Sequence, residues 1–369
     1  MDAALLQQAI DTMARDLLRA FPPEYWRVTD EARAFPTACF QRAGELGAYG
    51  ILLPEEHGGT HLGPRALARL IRALHAGGAD ASPLHAQAVM SGILIRAGAS
   101  PRLMALLPAL ATGATRLLSV AATEPEAGLD FSTLATTAKR HDDGWRINGS
   151  KIYISFAEHS DWIIVLTRAE EGPTLFAVPR ESEGLELRPM RMITNRLTTL
   201  LFLDEVAVPD ELRIGEPGKG LEILAKGFVM RRILAACEAI GNARFVMDRA
   251  VEHARTRATF GRPIGANQGV QYPLAKAACK VYAAELAIED SLATMERGDP
   301  AQAVSSMARL LAAEAAEEAT RAAFTACGGM ALASEAHIER KLRENTVYGF
   351  DNLLLGLVAE RYLGLPKSL

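Results

Sequence analysis

The 369-residue sequence has only four cysteines, Cys39, Cys237, Cys279 and Cys327, scattered with no CxxC and no paired spacing. That excludes a disulfide framework and a cysteine zinc site, and it fits a reducing cytoplasm. An excess of one charge is also missing. The formal net charge is −4, too small a field to steer nucleic acid or an anionic membrane surface, so neither is expected as a partner. No apolar run is long enough to span a bilayer: the greasiest region, 86–122, is interrupted by Arg96, Arg102 and Arg116. The N-terminus mixes acids and bases with apolar residues at helical spacing, unlike a charged stub followed by a continuous apolar segment, and reads as mature helix. There is no HExxH motif, and the histidines read as loop and helix-surface residues, so no metal site is expected. No GxGxxG follows a strand-like segment and no Walker-type phosphate loop occurs, so a nucleotide cofactor needs another cradle.

What is present is a globular composition, 49% hydrophobic, with a clear change of texture along the chain. Residues 1–118 carry apolar side chains at spacings of three and four, as in Leu5, Leu6, Ala9, Ile10, Met13 and Leu17, and predict a helical domain. From Ser119 short runs rich in Val, Ile, Thr and aromatics, such as WRINGSKIYIS and DWIIVLTRA, are separated by Gly, Asp and Pro. They predict a β domain over 119–218, its strands ending near Pro209. After the Gly215–Gly220 turn the pattern returns to helices, roughly 220–257, 268–297, 300–327 and 334–362, a C-terminal four-helix bundle within 219–369. The fold class is α+β and mainly helical. No internal repeat is present, and the alanine enrichment reflects helix propensity and close helix packing.

One stretch breaks the helical texture: HARTRATFGRPIGANQGVQ, His253 to Gln271. A spacing of three places Arg257 and Phe260 on one helical face near a helix end, Gly261, Pro263 and Gly265 then turn the chain, and Gln268 begins the next helix. Two readings are open. The stretch is a capped helical hairpin with Phe260 in a local core. Alternatively, Arg257 offers a planar fork for a pyrophosphate, Phe260 a flat face and Gln268 a two-sided amide, a set that suits a dinucleotide.

The pattern RxxFGxPIxxxQ in a helical region after a β domain resembles the acyl-CoA dehydrogenase family of flavoproteins. Four further stretches agree and occur in family order: ILLPEEHGG, AATEPEAGLD, KIYISFAEHSDW and CGGMALASEAHIERKLRE. The resemblance covers essentially the whole chain. It implies the acyl-CoA dehydrogenase-like fold and FAD bound at a homodimer-type interface. Thr123 would hydrogen-bond the flavin ring, Tyr153 would stand where the family usually has Trp, and Ser155 would supply a hydroxyl near N5. From a neighbouring subunit, Arg257, Phe260 and Gln268 would hold the adenosine and pyrophosphate portion, with Gly328 and Gly329 allowing close backbone approach. The implied activity is oxidation of an acyl-CoA or acyl-carrier thioester to its α,β-unsaturated product. Electrons would pass to an electron-transfer flavoprotein, and the assembly would be a homodimer, a homotetramer or a heterotetramer with a paralogue.

The sequence departs from the family at the catalytic base. Members place a Glu either just before a helix Arg early in the C-terminal domain or in a loop near the C-terminus. Here the helix Arg is Arg232, and Arg231 precedes it. The tail is shorter than the usual loop and offers only Asp351, which either serves as a base of shorter reach or caps the following helix. Arg232 and Glu238 are candidate substrate-side residues, Glu238 lying about two turns beyond Arg231; Glu238 is equally suited to a buried polar pocket or ion pair. Two other outcomes remain for such a chain: a base-deficient subunit that needs a paralogous partner, and flavin-dependent oxygen chemistry on the same scaffold.

Overall fold

The computed structural model describes residues 3–126, 131–349 and 352–366. Seven helices come first: α1 (Ala3–Ala20), α2 (Pro23–Glu31), α3 (Thr37–Glu45), α4 (Pro64–Ala76), α5 (Ser82–Arg96), α6 (Pro101–Met104) and α7 (Leu107–Thr112). Eight strands follow: β1 (Leu117–Ala121), β2 (Thr137–His141), β3 (Gly144–Ser155), β4 (Trp162–Ala169), β5 (Gly172–Pro179), β6 (Leu185–Pro189), β7 (Thr198–Val208) and β8 (Arg213–Ile214). The chain then runs through α8 (Gly220–Thr256), a small hairpin of β9 (Ala258–Thr259) and β10 (Arg262–Pro263), α9 (Gln268–Glu296), α10 (Gln302–Cys327), α11 (Ile338–Asn345) and α12 (Asn352–Arg361). The order is helical, β, helical. By contact the chain forms two compact units, one of residues 33–63 and 83–228, the other of 1–32, 64–82 and 229–369.

The first unit is built on an eight-stranded sheet ordered β6-β7-β3-β2-β4-β5-β8, with β1 alongside β4. Among the described residues most pairings are antiparallel, and only β1 with β4 and a single β2–β4 pairing are parallel. Among the described residues no strand-helix-strand repeat builds it. In β4, Ile163, Ile164, Val165 and Leu166 are all fully buried, so this strand is covered on both faces, which is why its sequence is a continuous apolar run. Gln87 of α5 fastens the helices to the sheet. Its Nε2 donates to the carbonyls of Leu110 and Thr115, and its Oε1 accepts from the Leu117 N–H at 2.8 Å.

The second unit is helical. Along α10, Ala308, Ala312, Ala315, Ala319, Ala322 and Ala326 are buried at alternating spacings of four and three. Along α9, Ala277, Val281, Ala284, Ile288 and Ser291 follow the same period. Small side chains at heptad spacing let the two helices, joined by a short turn, pack closely along their length. Gly241 of α8 serves the same end against α4, since a Cβ there would stand 2.4 Å from the Cβ of His75. Two expectations need correction. The segment read as one helix over 334–362 is interrupted: His337 has φ +58 at the start of α11, and a 3-10 turn follows at Thr346–Tyr348. Three histidines read as loop or surface residues, His75, His85 and His337, are buried.

Candidate functional site

Strand β3 presents the first group of expected cofactor contacts. Its pairing with β7 slips between Lys151 and Ile154, so two residues of β3 oppose one of β7. Tyr153 sits in this bulge with φ +61 and is 56% exposed. A bulge bends the strand and re-aims a side chain. Here it turns a large ring outward from a strand whose neighbours Lys151 and Ile154 point into the core. Ser155 ends the strand half-buried, and its carbonyl accepts from the Ser119 hydroxyl at 2.7 Å. Thr123 runs beside this end of β3, because the Ile152 N–H donates to the Thr123 carbonyl at 3.0 Å. The structure therefore places Thr123 beside the end of the strand that carries Tyr153 and Ser155.

The second group lies in the helical unit, and its local structure differs from expectation. Helix α8 ends at Thr256, so Arg257 and Phe260 do not share a helical face. Instead Thr259 pairs with Arg262 and Ala258 with Pro263, making a tight hairpin with Phe260 and Gly261 at its tip. Their φ values, +50 and +77, are those of a two-residue turn of the mirror-image type, whose twist matches the flanking strands. A phenylalanine pays strain for that conformation, yet this one gains no packing in return: Phe260 is fully exposed at 104%. A local core for Phe260 is therefore not what the hairpin provides. Arg257 and Gln268 are exposed beside it, and the Ile264 N–H ties back to the Arg257 carbonyl at 2.8 Å.

Gly328 and Gly329 follow the end of α10. Gly328 has φ +54, and a Cβ on either would meet nothing. One pocket of about 600 Å³ lies close by, lined by Arg249, His253, Thr256, Cys327 and Met330 among others. Thr256 immediately precedes Arg257 and Cys327 immediately precedes Gly328, so two expected contact segments far apart in sequence flank one concavity. Its volume is in the range of small-ligand sites. Within it, the buried Nε of Arg249 has no hydrogen-bond partner, and the guanidinium lies over the Phe245 ring at 4.7 Å.

Of the substrate-side candidates, Arg232 is half-buried on α8 with an unpartnered, buried Nη1, and burial next to Arg231 pushes its pKa down to about 10. A guanidinium in that state favours an acceptor. Glu238 is 1% exposed, and its Oε2 accepts from the Tyr348 hydroxyl at 2.9 Å. The structure thus places it in a buried polar pocket, one of the settings open from sequence. His75 Nε2 is 4.0 Å from Glu238 Oε1, but the two are not an ion pair. His75 Nε2 accepts the Ala81 N–H, so the proton is on Nδ1, which donates to Asn242 Oδ1, and burial holds the imidazole's pKa down. Asn242 passes the chain to Asn345, and Asn345 to Thr320. Asp351 lies outside the described residues.

Sequence reasoning missed the buried ion pairs: Arg340 and Lys341 both meet Glu344 on α11, and Lys151 meets Glu124 in the sheet unit. Lys151 and Glu124, fully buried, meet at 2.7 Å, Glu124 directly after Thr123 and Lys151 two residues before Tyr153. The available signal was a lysine in register with the inward positions of β3, whose other buried side chains, Trp145, Ile147 and Ile154, are apolar. Among the described residues no group of three His, Cys, Asp or Glu is arranged to hold a metal ion, and no helix is long and apolar enough to cross a membrane. His57 and His61, four apart in sequence, flank the Gly58–Gly59 loop and not a helical turn.

Three family descriptions match the chain in succession: "Acyl-CoA dehydrogenase, N-terminal domain" over residues 6–114, "middle domain" over 119–205 and "C-terminal domain" over 218–363. Acyl-CoA dehydrogenase FadE12 of Mycobacterium tuberculosis is 29% identical over 377 residues, covering 98% of this chain and 97% of that protein. Probable acyl-CoA dehydrogenase fadE25 of Mycobacterium bovis is 30% identical, covering 90% and 89%. Among solved structures, a glutaryl-coenzyme A dehydrogenase in complex with glutaryl-CoA superposes with a TM-score of 0.90 at 26% identity, covering 100% of this chain and 98% of the other. With the helical, β, helical order and a full-length match to all three parts, the chain belongs to the acyl-CoA dehydrogenase family of FAD-dependent oxidoreductases.

Proposed function

We propose that the protein oxidises an acyl-CoA or acyl-carrier thioester to the α,β-unsaturated product, with FAD shared between two copies of the chain. The observation that carries this is the Phe260–Gly261 hairpin beside a pocket flanked by Arg257 and Gly328. Phe260, strained and fully exposed at the hairpin tip close to Arg257, gains no burial within its own chain. It fits the adenosine and pyrophosphate half of FAD held by Thr123, Tyr153 and Ser155 of a neighbouring copy. Exposed apolar side chains on α9, including Tyr282 and Leu286, supply further surface for such an assembly.

When bound, FAD supplies the acceptor for the β-hydride. The residues of the chain do the rest. Thr123 and Ser155 would hold the ring through their hydroxyls, Tyr153 would cover it, and Asp351 would take the α-proton, a task suited to a carboxylate. Arg232 offers its free N–H on the substrate side, whereas Glu238 is engaged by Tyr348 and acts in packing α8 against the 3-10 turn at 346–348. Electrons pass to an electron-transfer flavoprotein, and four free cysteines fit a reducing cytoplasm.

Anaerobic titration of the purified yellow protein with a panel of acyl-CoAs tests the proposal. Bleaching of the flavin by at least one acyl-CoA is expected. Bleaching only after addition of a Glu-bearing paralogue would instead make the chain a base-deficient subunit, and rapid oxygen consumption without bleaching by any thioester would point to flavin-dependent oxygen chemistry.

A further inference from the structure

Glu124 and Lys151 are buried in the sheet unit, where an ion pair costs more to desolvate than most return and a pair of apolar side chains packs as well or better. What apolar side chains cannot do is collect backbone donors. Glu124 Oε1 accepts from Lys151 Nζ at 2.7 Å and from the Thr136 N–H at 2.9 Å, and Oε2 accepts from the Ala135 N–H at 2.6 Å. Lys151 Nζ also donates to the Ala122 carbonyl at 3.3 Å, and the adjacent Ile152 N–H donates to the Thr123 carbonyl. Three consecutive residues, Ala122 to Glu124, are thus tied to two consecutive residues of β3.

The same carboxylate holds the far end of the loop. Ala135 and Thr136 return to Glu124 after ten intervening residues, and they lie flat on β3 because Gly149, at φ +147, has no Cβ to strike Thr136 Cα at 2.6 Å. The loop leaves and re-enters the sheet at one side chain. Glu124 directly follows Thr123, and Lys151 stands two residues before Tyr153 on the bulged edge of β3.

We propose that Glu124 and Lys151 are positioning residues for the flavin: the pair clasps both ends of the 123–136 loop to β3 and so sets Thr123 against Tyr153 and Ser155 at the spacing the ring requires. This rests on FAD occupying that face, as argued above. Neither side chain need touch the cofactor; each acts through the residue beside it.

The test compares the wild-type protein with E124Q, K151M, the conservative K151R and the double variant E124Q/K151M, which leaves no unpaired buried charge. FAD dissociation constant, visible flavin spectrum and flavin midpoint potential are read alongside the melting of each apoprotein. E124Q and K151M are expected to fold cooperatively and to raise the FAD dissociation constant by about tenfold or more, the scale of one lost charge-assisted hydrogen bond. The spectrum and potential should shift with them, and K151R should retain more affinity than K151M. Folded single variants with wild-type affinity and spectrum would overturn the proposal. If the single variants do not fold, the double variant and hydrogen exchange on the wild type decide it. The amides of Ala135, Thr136 and Ile152 should exchange more slowly with FAD bound, and exchange at all three that is indifferent to FAD would overturn the proposal. A wild-type protein that takes up no FAD would overturn the functional reading together with this one, whereas equal FAD binding by wild type and folded variants would overturn this one alone.

Discussion

The Tyr348 hydroxyl donates to Glu238 Oε2 at 2.9 Å, joining the 3-10 turn after α11 to the middle of α8. The same turn is held by Arg309 of α10, which donates to the Tyr348 carbonyl at 2.9 Å and lies over its ring. Removing the hydroxyl leaves a buried carboxylate short of a donor. Tyr348→Phe is therefore expected to cost about 1–3 kcal/mol of stability, with the FAD affinity of the folded protein unchanged. Chemical denaturation and FAD titration of the variant check both halves, and a loss of FAD affinity without a loss of stability would contradict the structural assignment of Glu238.

Stability should fall on mild acidification. Burial lowers the pKa of His75, and it also lowers those of His159 and His337, below the ordinary 6.5. As pH drops through that value the unfolded chain takes up protons that the folded chain resists, so folding free energy is lost from about pH 6.5 downward. On the alkaline side, burial brings Lys151 and Lys341 from 10.5 down to about 8. Between those values the unfolded chain holds more protons, so these two groups raise stability as pH climbs through the window. Melting temperatures across both ranges test this, and His75→Gln should flatten the acid slope if it folds. A melting temperature indifferent to pH between 7.5 and 5.5 would contradict it.

Much of this was legible in the sequence, and the remainder was hidden for identifiable reasons. The long helices and the strand run of β4 show in their periodicity because one side of each element, or both, is buried against a continuous neighbour. The hairpin at Phe260 did not show. An Arg and a Phe three apart imitate one face of a helix, and a two-residue turn is usually announced by Asn-Gly or Asp-Gly, whereas here only Gly261 signals it. His75 was hidden because its partners come from α8 and from the turn at Ala81, and Lys151 because its counter-charge is twenty-seven residues away in a loop. Spacing within one element reveals its own face; it says little about a polar group whose partners arrive from other elements.

If Asp351 is the base, Asp351→Asn should slow anaerobic flavin reduction by a responsive acyl-CoA by at least about a hundredfold and leave FAD binding intact. The wild-type rate should itself be modest, because Asp is one methylene shorter than Glu and a misplacement of about 1 Å costs on the order of a hundredfold. Stopped-flow reduction of both proteins reads this directly, and equal rates would remove Asp351 from the reaction.

The central claim is that each FAD is held by the sheet face of one chain and the hairpin of another, and subunit complementation tests it most directly. One chain would carry Thr123→Ala with Tyr153→Ala, the other Arg257→Ala with Phe260→Ala, each tagged separately and co-expressed. In a mixed dimer both defects fall on one site and leave the other native, as the symmetry of an isologous pair requires. Flavin content and tight FAD binding are therefore expected to return to about half of the sites in the doubly tagged species, although neither variant alone retains FAD. Mixed dimers that hold no more FAD than the two parents would contradict a shared cofactor.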